Sequence, residues 1–311
     1  MSQLLEATFW SATVAGGLRL ATPLIYASIG ETFAQRAGVL NLGLEGYMII
    51  GALTSLYVAD PTVAPLGFLV GGLAGMLLAA FMVLLSIRLY ANQVVVGFGL
   101  TILGIGTTGY IFRVTTDVGG RDRQVSLPSE VDIPLLSDIP WLGDALFGHS
   151  WYTWLALGLV LVTGFIASRT IFGLEVKAVG EDPDAAAARG VDVVRVRTIA
   201  TLMSGFLGGL GGAALMLGSV GRFQPWLTAN RGFIALIVII MASWSIWGAA
   251  VGAFVFGFFE ALGFNLNNVF VDVPVEGLNA IPFFVALLIL TASARWARMP
   301  RGLGENYVPT V

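Results

Sequence analysis

The chain has 311 residues, of which 57% are apolar and 11% charged, and a mean hydropathy of +0.86. That balance belongs to a polytopic α-helical membrane protein and excludes an ordinary soluble domain. A net charge of −3 leaves no nucleic-acid footprint, and the absence of cysteine removes disulfides, thiolate nucleophiles and iron–sulfur sites. His149 is the only histidine, which argues against histidine-based metal sites. Lys177, the only lysine, follows no glycine-rich loop, so the chain holds no Walker A motif and any ATP-driven step needs a separate ATPase chain.

The start, MSQLLEATFW, carries an acid and no basic n-region, so no cleaved signal peptide is expected. A first apolar run over 9–29 has Arg19 in its middle. A mid-membrane arginine costs about 2.5–3.5 kcal/mol on insertion scales, so Arg19 is expected to face protein or a watery cavity, in a structural or a substrate role. In the next stretch the hydrophobic signal is interrupted by Glu31, Arg36, Gly38, Asn41, Gly43, Glu45 and Gly46. Such an interruption reads as a broken or re-entrant helix lining a cavity, which makes Asn41 and Glu45 candidates for a substrate pathway; an ordinary short loop with a helix starting near Glu45 is the other reading.

Residues 60–65 form a proline-bounded turn, 66–87 a clean span, and 94–112 a fourth span with Asn92 and Gln93 at its entrance. Gly71 with Gly75, Gly205 with Gly209, Gly208 with Gly212 and Gly248 with Gly252 form small-xxx-small faces suited to close helix packing. Residues 115–150 make a long acidic, proline-containing loop, either a docking surface or a connector. Further apolar runs cover 151–168, 198–218, 233–247, 248–268 and 281–294, for about nine segments in all, and Glu260 is an acid placed for the bundle interior.

The 169–197 loop holds five basic and five acidic residues between two uncharged apolar runs. Within it Asp182 suits an N-cap, Pro183 the first helical position, the alanines through Ala186 a helix interior, and Gly190 a C-terminal cap, with Glu181 leading in. The result is a rigid surface peg for a partner, or a solvated loop helix without one. Taking this loop as cytoplasmic puts ten basic residues on that side and five on the other, in line with the positive-inside rule. The N-terminus is then outside, the C-terminus cytoplasmic and the 115–150 loop external.

Three stretches resemble the permease subunits of bacterial ABC importers of the branched-chain amino acid, ribose and nucleoside class. GLEVKAVGEDPDAAAARGV at 173–191 is similar to that class's cytoplasmic coupling segment, with its G-x-x-x-x-A-x-G-x-(N/D)-x-x-A-A-x-x-x-G-(I/V) pattern. RAGVLNLGLEGYM at 36–48 resembles a motif of the nucleoside branch, as do RGFIAL at 231–236 and the Trp244, Gly248 and Phe256-Gly257-x-x-Glu260 positions. Two departures stand out: MASWSIWG at 241–248 lacks the family's basic residue and proline, and Glu260 stands where Asp is frequent. The chain begins at what corresponds to the second helix of ribose-type permeases, as expected for the smaller of two unlike permeases.

The resemblance implies one 1–311 permease domain in the bacterial cytoplasmic (inner) membrane, surrounded by the lipid bilayer. Its implied partners are a second permease subunit as heterodimer, an ABC ATPase carrying ATP and Mg, and an extracytoplasmic substrate-binding protein. Nucleosides are the expected cargo, with ribose or another simple sugar as the alternative. Asn41, Glu45, Asn92 and Glu260 are the pathway candidates, and Glu181, Asp182, Pro183, Ala186 and Gly190 the coupling ones. No cofactor or enzymatic constellation is expected in this chain. A stand-alone secondary transporter and a membrane scaffold are the readings from other classes, and the lack of a cluster of intramembrane acids weighs against the first.

Overall fold

A computed structural model describes residues 7–59, 64–119, 125, 131, 143–270, 274–293 and 298–308. Twelve α-helices follow in order: α1 (Ala7–Arg36), α2 (Leu44–Val58), α3 (Ala64–Met82), α4 (Gln93–Gly119), α5 (Trp151–Arg169), α6 (Ile171–Glu181), α7 (Pro183–Ala188), α8 (Val193–Leu215), α9 (Arg231–Met241), α10 (Ile246–Val269), α11 (Val275–Asn279) and α12 (Ile281–Ser293). Short π-helical turns extend α3 to Arg88 and α8 to Val220. Among the described residues, six helical stretches are long and apolar enough to cross a membrane: Ala64–Arg88, Gln93–Thr115, Trp151–Arg169, Val193–Val220, Ile246–Val269 and Val275–Ser293. Most of the 115–150 loop and the 60–63 turn lie outside the described residues.

Helix α8 is the axis of the bundle, since it packs on α1, α2 and α3 and is mostly buried. It can be approached closely because its glycines face other backbones. A Cβ at Gly75 of α3 would lie 2.3 Å from the Gly205 carbonyl, and one at Gly209 would lie 2.4 Å from that of Gly71. The glycine faces read from the sequence therefore oppose one another, and backbone proximity replaces a hydrophobic driving force between helices in lipid.

The contacts also give direction. Asn41 lies beside Ser204, Leu44 against Gly208 and Met48 against Gly212, so α2 runs parallel to α8. Gly71, Gly75 and Ala79 meet Ala213, Gly209 and Gly205, so α3 runs antiparallel to it. About 16 Å of helix separates Arg197, which holds Ala37, from Gly208, which meets Leu44. Hence the non-helical segment 37–43 climbs to mid-depth before α2 begins, and α2 is a half-length helix. Its partner in length is α9, whose apolar pattern predicts a segment through 247 but which ends at Met241. Ser243 and Trp244 take left-handed backbone angles there (φ 49 and 56) and break the run.

Candidate functional site

The two half-helices meet at their N-terminal ends. Glu45, in the first turn of α2 and 2% exposed, reaches across to the start of α9. Its Oε2 accepts the Gly232 N–H at 2.7 Å, and its Oε1 accepts the Asn230 N–H at 3.1 Å and the Thr228 hydroxyl at 2.5 Å. The first N–H groups of a helix lack intrahelical acceptors and carry the positive end of its dipole, so a carboxylate is well placed there. Gly232 is required by the approach: a Cβ would lie 2.4 Å from the Glu45 nitrogen.

A second polar cluster lies below it. Glu31 of α1 accepts from Gln35 (3.2 Å), Asn41 (2.9 Å) and Ser204 (2.5 Å); Asn41 Oδ1 accepts from the Gly43 N–H (3.0 Å) and the Tyr47 hydroxyl (3.1 Å). Gln35 in turn accepts the Trp244 indole N–H at 2.7 Å. All of these groups are buried, so the cluster ties α1, the 37–43 segment, α2, α8 and the α9–α10 turn into one unit. Non-helical backbone at this depth is tolerated because it is largely buried in protein. Glu31 and Trp244 are noted in the sequence, though not as site residues, and Gln35 and Ser204 not at all; for Ser204 a polar residue inside the 198–218 apolar run is the available signal.

The remaining pathway candidates lie elsewhere. Glu260 on α10 pairs with Arg231, the first residue of α9, at 2.7 Å. Glu260 Oε2 and Arg231 Nε are buried without a hydrogen-bond partner, and the pair borders a cavity of about 200 Å³ together with Ala229, Phe256, Phe264 and Asn279. Asn92 is exposed and caps α4, its Oδ1 accepting from Val94 (3.0 Å) and Val95 (3.1 Å). The structure thus brings Glu45 and Asn41 into neighbouring clusters and leaves Glu260 at the far side of α9 and Asn92 at the other end of α4. Arg19, expected to face protein or water, is exposed on α1 of this single chain.

At the end where Asn92 lies, α6 and α7 project from the bundle. Asp182 accepts the Ala185 N–H at 2.9 Å as N-cap, Pro183 is the first helical residue, and Gly190 takes φ 86 just past the helix. Ala186 is 5% exposed and turns inward, whereas Glu181, Asp182, Asp184, Ala185, Ala188 and Arg189 are exposed. On α6, Ile171 and Leu174 are exposed as well. A Cβ at Gly180 would lie 1.9 Å from the Arg36 carbonyl, so the α6 end sits directly on the α1 end.

The C-terminal segment straps this region together. Gly302 N–H donates to Gly180 (2.8 Å) and Gly304 N–H to Gly38 (3.1 Å). Arg197 donates to the Ala37 (3.0 Å) and Glu305 (2.7 Å) carbonyls. Gln93 accepts from Leu40 N–H at 2.7 Å and donates to Asn306 at 3.2 Å. The end of α6 is therefore tied through the C-terminal segment to the 37–43 segment, by the Gly302–Gly180 and Gly304–Gly38 hydrogen bonds, and that segment carries Asn41 and leads into Glu45.

A family model described as "Branched-chain amino acid transport system / permease component" matches residues 13–292. The guanosine ABC transporter permease protein NupQ of Bacillus subtilis is 34% identical, over 96% of this chain and 97% of its own. The nucleoside ABC transporter permease protein NupC of Lactococcus lactis is 31% identical, over 95% and 96%. The putative glucose ABC transporter permease protein TsgC13 of Haloferax volcanii is 38% identical, over 83% and 76%. The guanosine ABC transporter permease protein NupP of Bacillus subtilis and the nucleoside ABC transporter permease protein NupB of Lactococcus lactis match more distantly, at 24% and 22% identity. No solved structure matches the chain.

Proposed function

From the premise that this chain belongs to the branched-chain amino acid transport system permease component family, we propose that it is one permease subunit of an ATP-binding-cassette importer that carries nucleosides into the cytoplasm. The observation that carries the reading is near-complete alignment with two permease proteins described as guanosine and nucleoside transporters. The glucose-described relative keeps a simple sugar as the second reading. The protein is multi-pass, in the cytoplasmic membrane. Nine segments are counted when α1, α2 and α9 join the six long helices, with the N-terminus outside and the α7 end cytoplasmic.

In this reading α7, capped at Asp182 and followed by Gly190, is the peg held by the ATPase, with Glu181, Pro183 and Ala186 shaping it. ATP and Mg act on that partner chain, and this chain is not an enzyme. The second permease is an unlike subunit, supported by the presence of two dissimilar permease relatives, NupQ with NupP and NupC with NupB, in each of two organisms. A binding protein outside the cell delivers the nucleoside. Movement of α7 passes through Gly180 and the C-terminal strap to the 37–43 segment, and from there through Glu45 to α9. Asn41, Glu45, Asn92 and Glu260 form the polar frame of the pathway: Asn41 and Glu45 couple the half-helices, Asn92 fixes the start of α4, and Glu260 holds Arg231.

The test is uptake of labelled guanosine and uridine by cells with and without the gene, in the presence of unlabelled nucleosides, glucose, ribose or leucine. Gene-dependent uptake blocked only by nucleosides is expected. Competition by glucose or ribose alone transfers the assignment to sugars.

A further inference from the structure

Helix α4 is one of the two least covered of the six long apolar stretches, with little more than a quarter of it buried. Added Cβ atoms at Gly99, Gly106 and Gly109 would meet nothing within 4 Å, so packing within this chain does not call for glycine there. The stretch from Ile105 to Arg113 lies roughly 18–30 Å along the helix from Gln93, in the half remote from α7. Opposite it runs the 221–230 segment, and between the two is a cavity of about 540 Å³ bordered by Gly106, Gly109, Tyr110, Arg113 and Trp226. That volume holds a molecule of nucleoside size.

The 221–230 segment is held in an unusual shape. Trp226, Ala229 and Asn230 have left-handed backbones (φ 70, 46 and 64), a conformation that non-glycine residues keep only when their surroundings impose it. The imposing contacts are visible. Glu45 grips Thr228, Asn230 and Gly232; Phe223, fully buried, packs on Phe112 with ring centroids 5.1 Å apart. Trp226 projects from this clamped loop 62% exposed, and Tyr110 across from it is 70% exposed. Aromatic residues of this kind also anchor proteins at the membrane surface. A surface anchor, however, needs neither a strained backbone clamped by a buried carboxylate nor a glycine floor beside it.

We propose that Tyr110, Arg113 and Trp226, over the floor made by Gly106 and Gly109, form this chain's part of the site that receives the nucleoside. The inference rests on the nucleoside reading above. A nucleoside is a flat π-system attached to a hydroxyl-rich ring. The base stacks on the Trp226 and Tyr110 faces, while the Arg113 guanidinium and the Tyr110 hydroxyl serve its carbonyl and ribose oxygens. Among the described residues of the lining Arg113 is the charged group, and it supplies only donors, which favours a neutral, acceptor-rich solute over a cation. Glu45 is a positioning residue for this site, acting through the loop that carries Trp226.

The experiment uses the assembled transporter in proteoliposomes, with labelled guanosine as probe and unlabelled uridine and glucose as competitors. Trp226→Ala is expected to lower guanosine uptake at low concentration about tenfold, the size of one lost base–aromatic stack. Trp226→Phe should restore most of it, and Arg113→Met should raise the KM. Gel filtration of each variant complex confirms assembly. If the wild-type complex moves guanosine and all these variants stay within twofold of it, the site is overturned and Trp226 is a surface anchor. If the wild-type complex moves glucose and no nucleoside, the nucleoside reading falls, and this assignment of the cavity falls with it.

Discussion

The Glu45 carboxylate accepts the Gly232 N–H at 2.7 Å across 187 residues of sequence, joining the start of one half-length helix to the start of another. The two backbones approach so closely that a single methyl group at Gly232 would collide with the Glu45 backbone. The N–H groups at the start of α9, which have no intrahelical acceptor, are thereby paired by a carboxylate carried on α2.

Glu45→Ala strands the Gly232 and Asn230 N–H groups and the Thr228 hydroxyl in a buried site, a loss of about 3 kcal/mol. Glu45→Gln keeps one acceptor oxygen but turns an NH₂ toward donors, so an intermediate loss is expected. Thermal unfolding of the detergent-purified protein should rank wild type above Glu45→Gln above Glu45→Ala. Equal melting temperatures would show that the contact stabilises nothing.

Arg231 and Glu260 form a largely buried ion pair, 12% and 15% exposed. Breaking it from one side leaves an unmatched charge, at about 3–5 kcal/mol, whereas replacing both partners with apolar residues is often nearly neutral. Arg231→Met and Glu260→Leu are therefore each expected to be strongly destabilising and the double variant close to wild type in melting temperature. Uptake then separates two roles. A stable double variant that transports normally makes the pair a structural strut; one that is stable and inactive places the Arg231–Glu260 pair in the pathway, as proposed.

Gly212 and Gly158 make a matched pair for the packing account. A Cβ at Gly212 would lie 1.8 Å from the Met48 carbonyl, while one at Gly158 would touch nothing within 4 Å. Gly212→Ala should push α2 off α8 and lower expression of folded protein. Gly158→Ala should be neutral or stabilising by up to about 1 kcal/mol, the helix-propensity gain. Fluorescence-detected gel filtration distinguishes them, and equal profiles would count against the close α2–α8 contact.

On α7, Ala186 and Ala185 are neighbours with opposite exposure. Ala185→Arg adds bulk to the outer face and should reduce ATPase co-purification while the permease itself stays folded. Ala186→Glu buries a carboxylate and should unfold the peg. Asp182→Ala removes the cap, a cost of about 1 kcal/mol, and should weaken association less than Ala185→Arg does. Undiminished co-purification with Ala185→Arg would mean that α7 does not dock the ATPase.

Local signals made α7 legible: Asp182, Pro183 and Gly190 act within one short stretch, and each occupies the position its chemistry favours. The glycine faces of α3 and α8 were legible for the same reason, since helical spacing alone places them. The Glu31–Asn41–Ser204 cluster was not, because Ser204 is 173 residues from Glu31 and meets it only once the register of α1 on α8 is fixed. Hydropathy also overran α9, because Ser243 and Trp244 look like continuing helix. What ends it is the Trp244 indole bonding Gln35 across 209 residues. Asn92 suggested a pathway by being polar at a helix entrance, and that same position suits the cap it forms on α4.

Joining this permease to its ATPase and its second permease in sealed vesicles, with a nucleoside-loaded binding protein on the outer side, tests the central claim most directly. Labelled guanosine should accumulate inside only when ATP is present on the α7 side, and ionophores that collapse proton and sodium gradients should leave the rate unchanged. Accumulation without ATP that those ionophores abolish would contradict the account and make the chain an ion-coupled carrier.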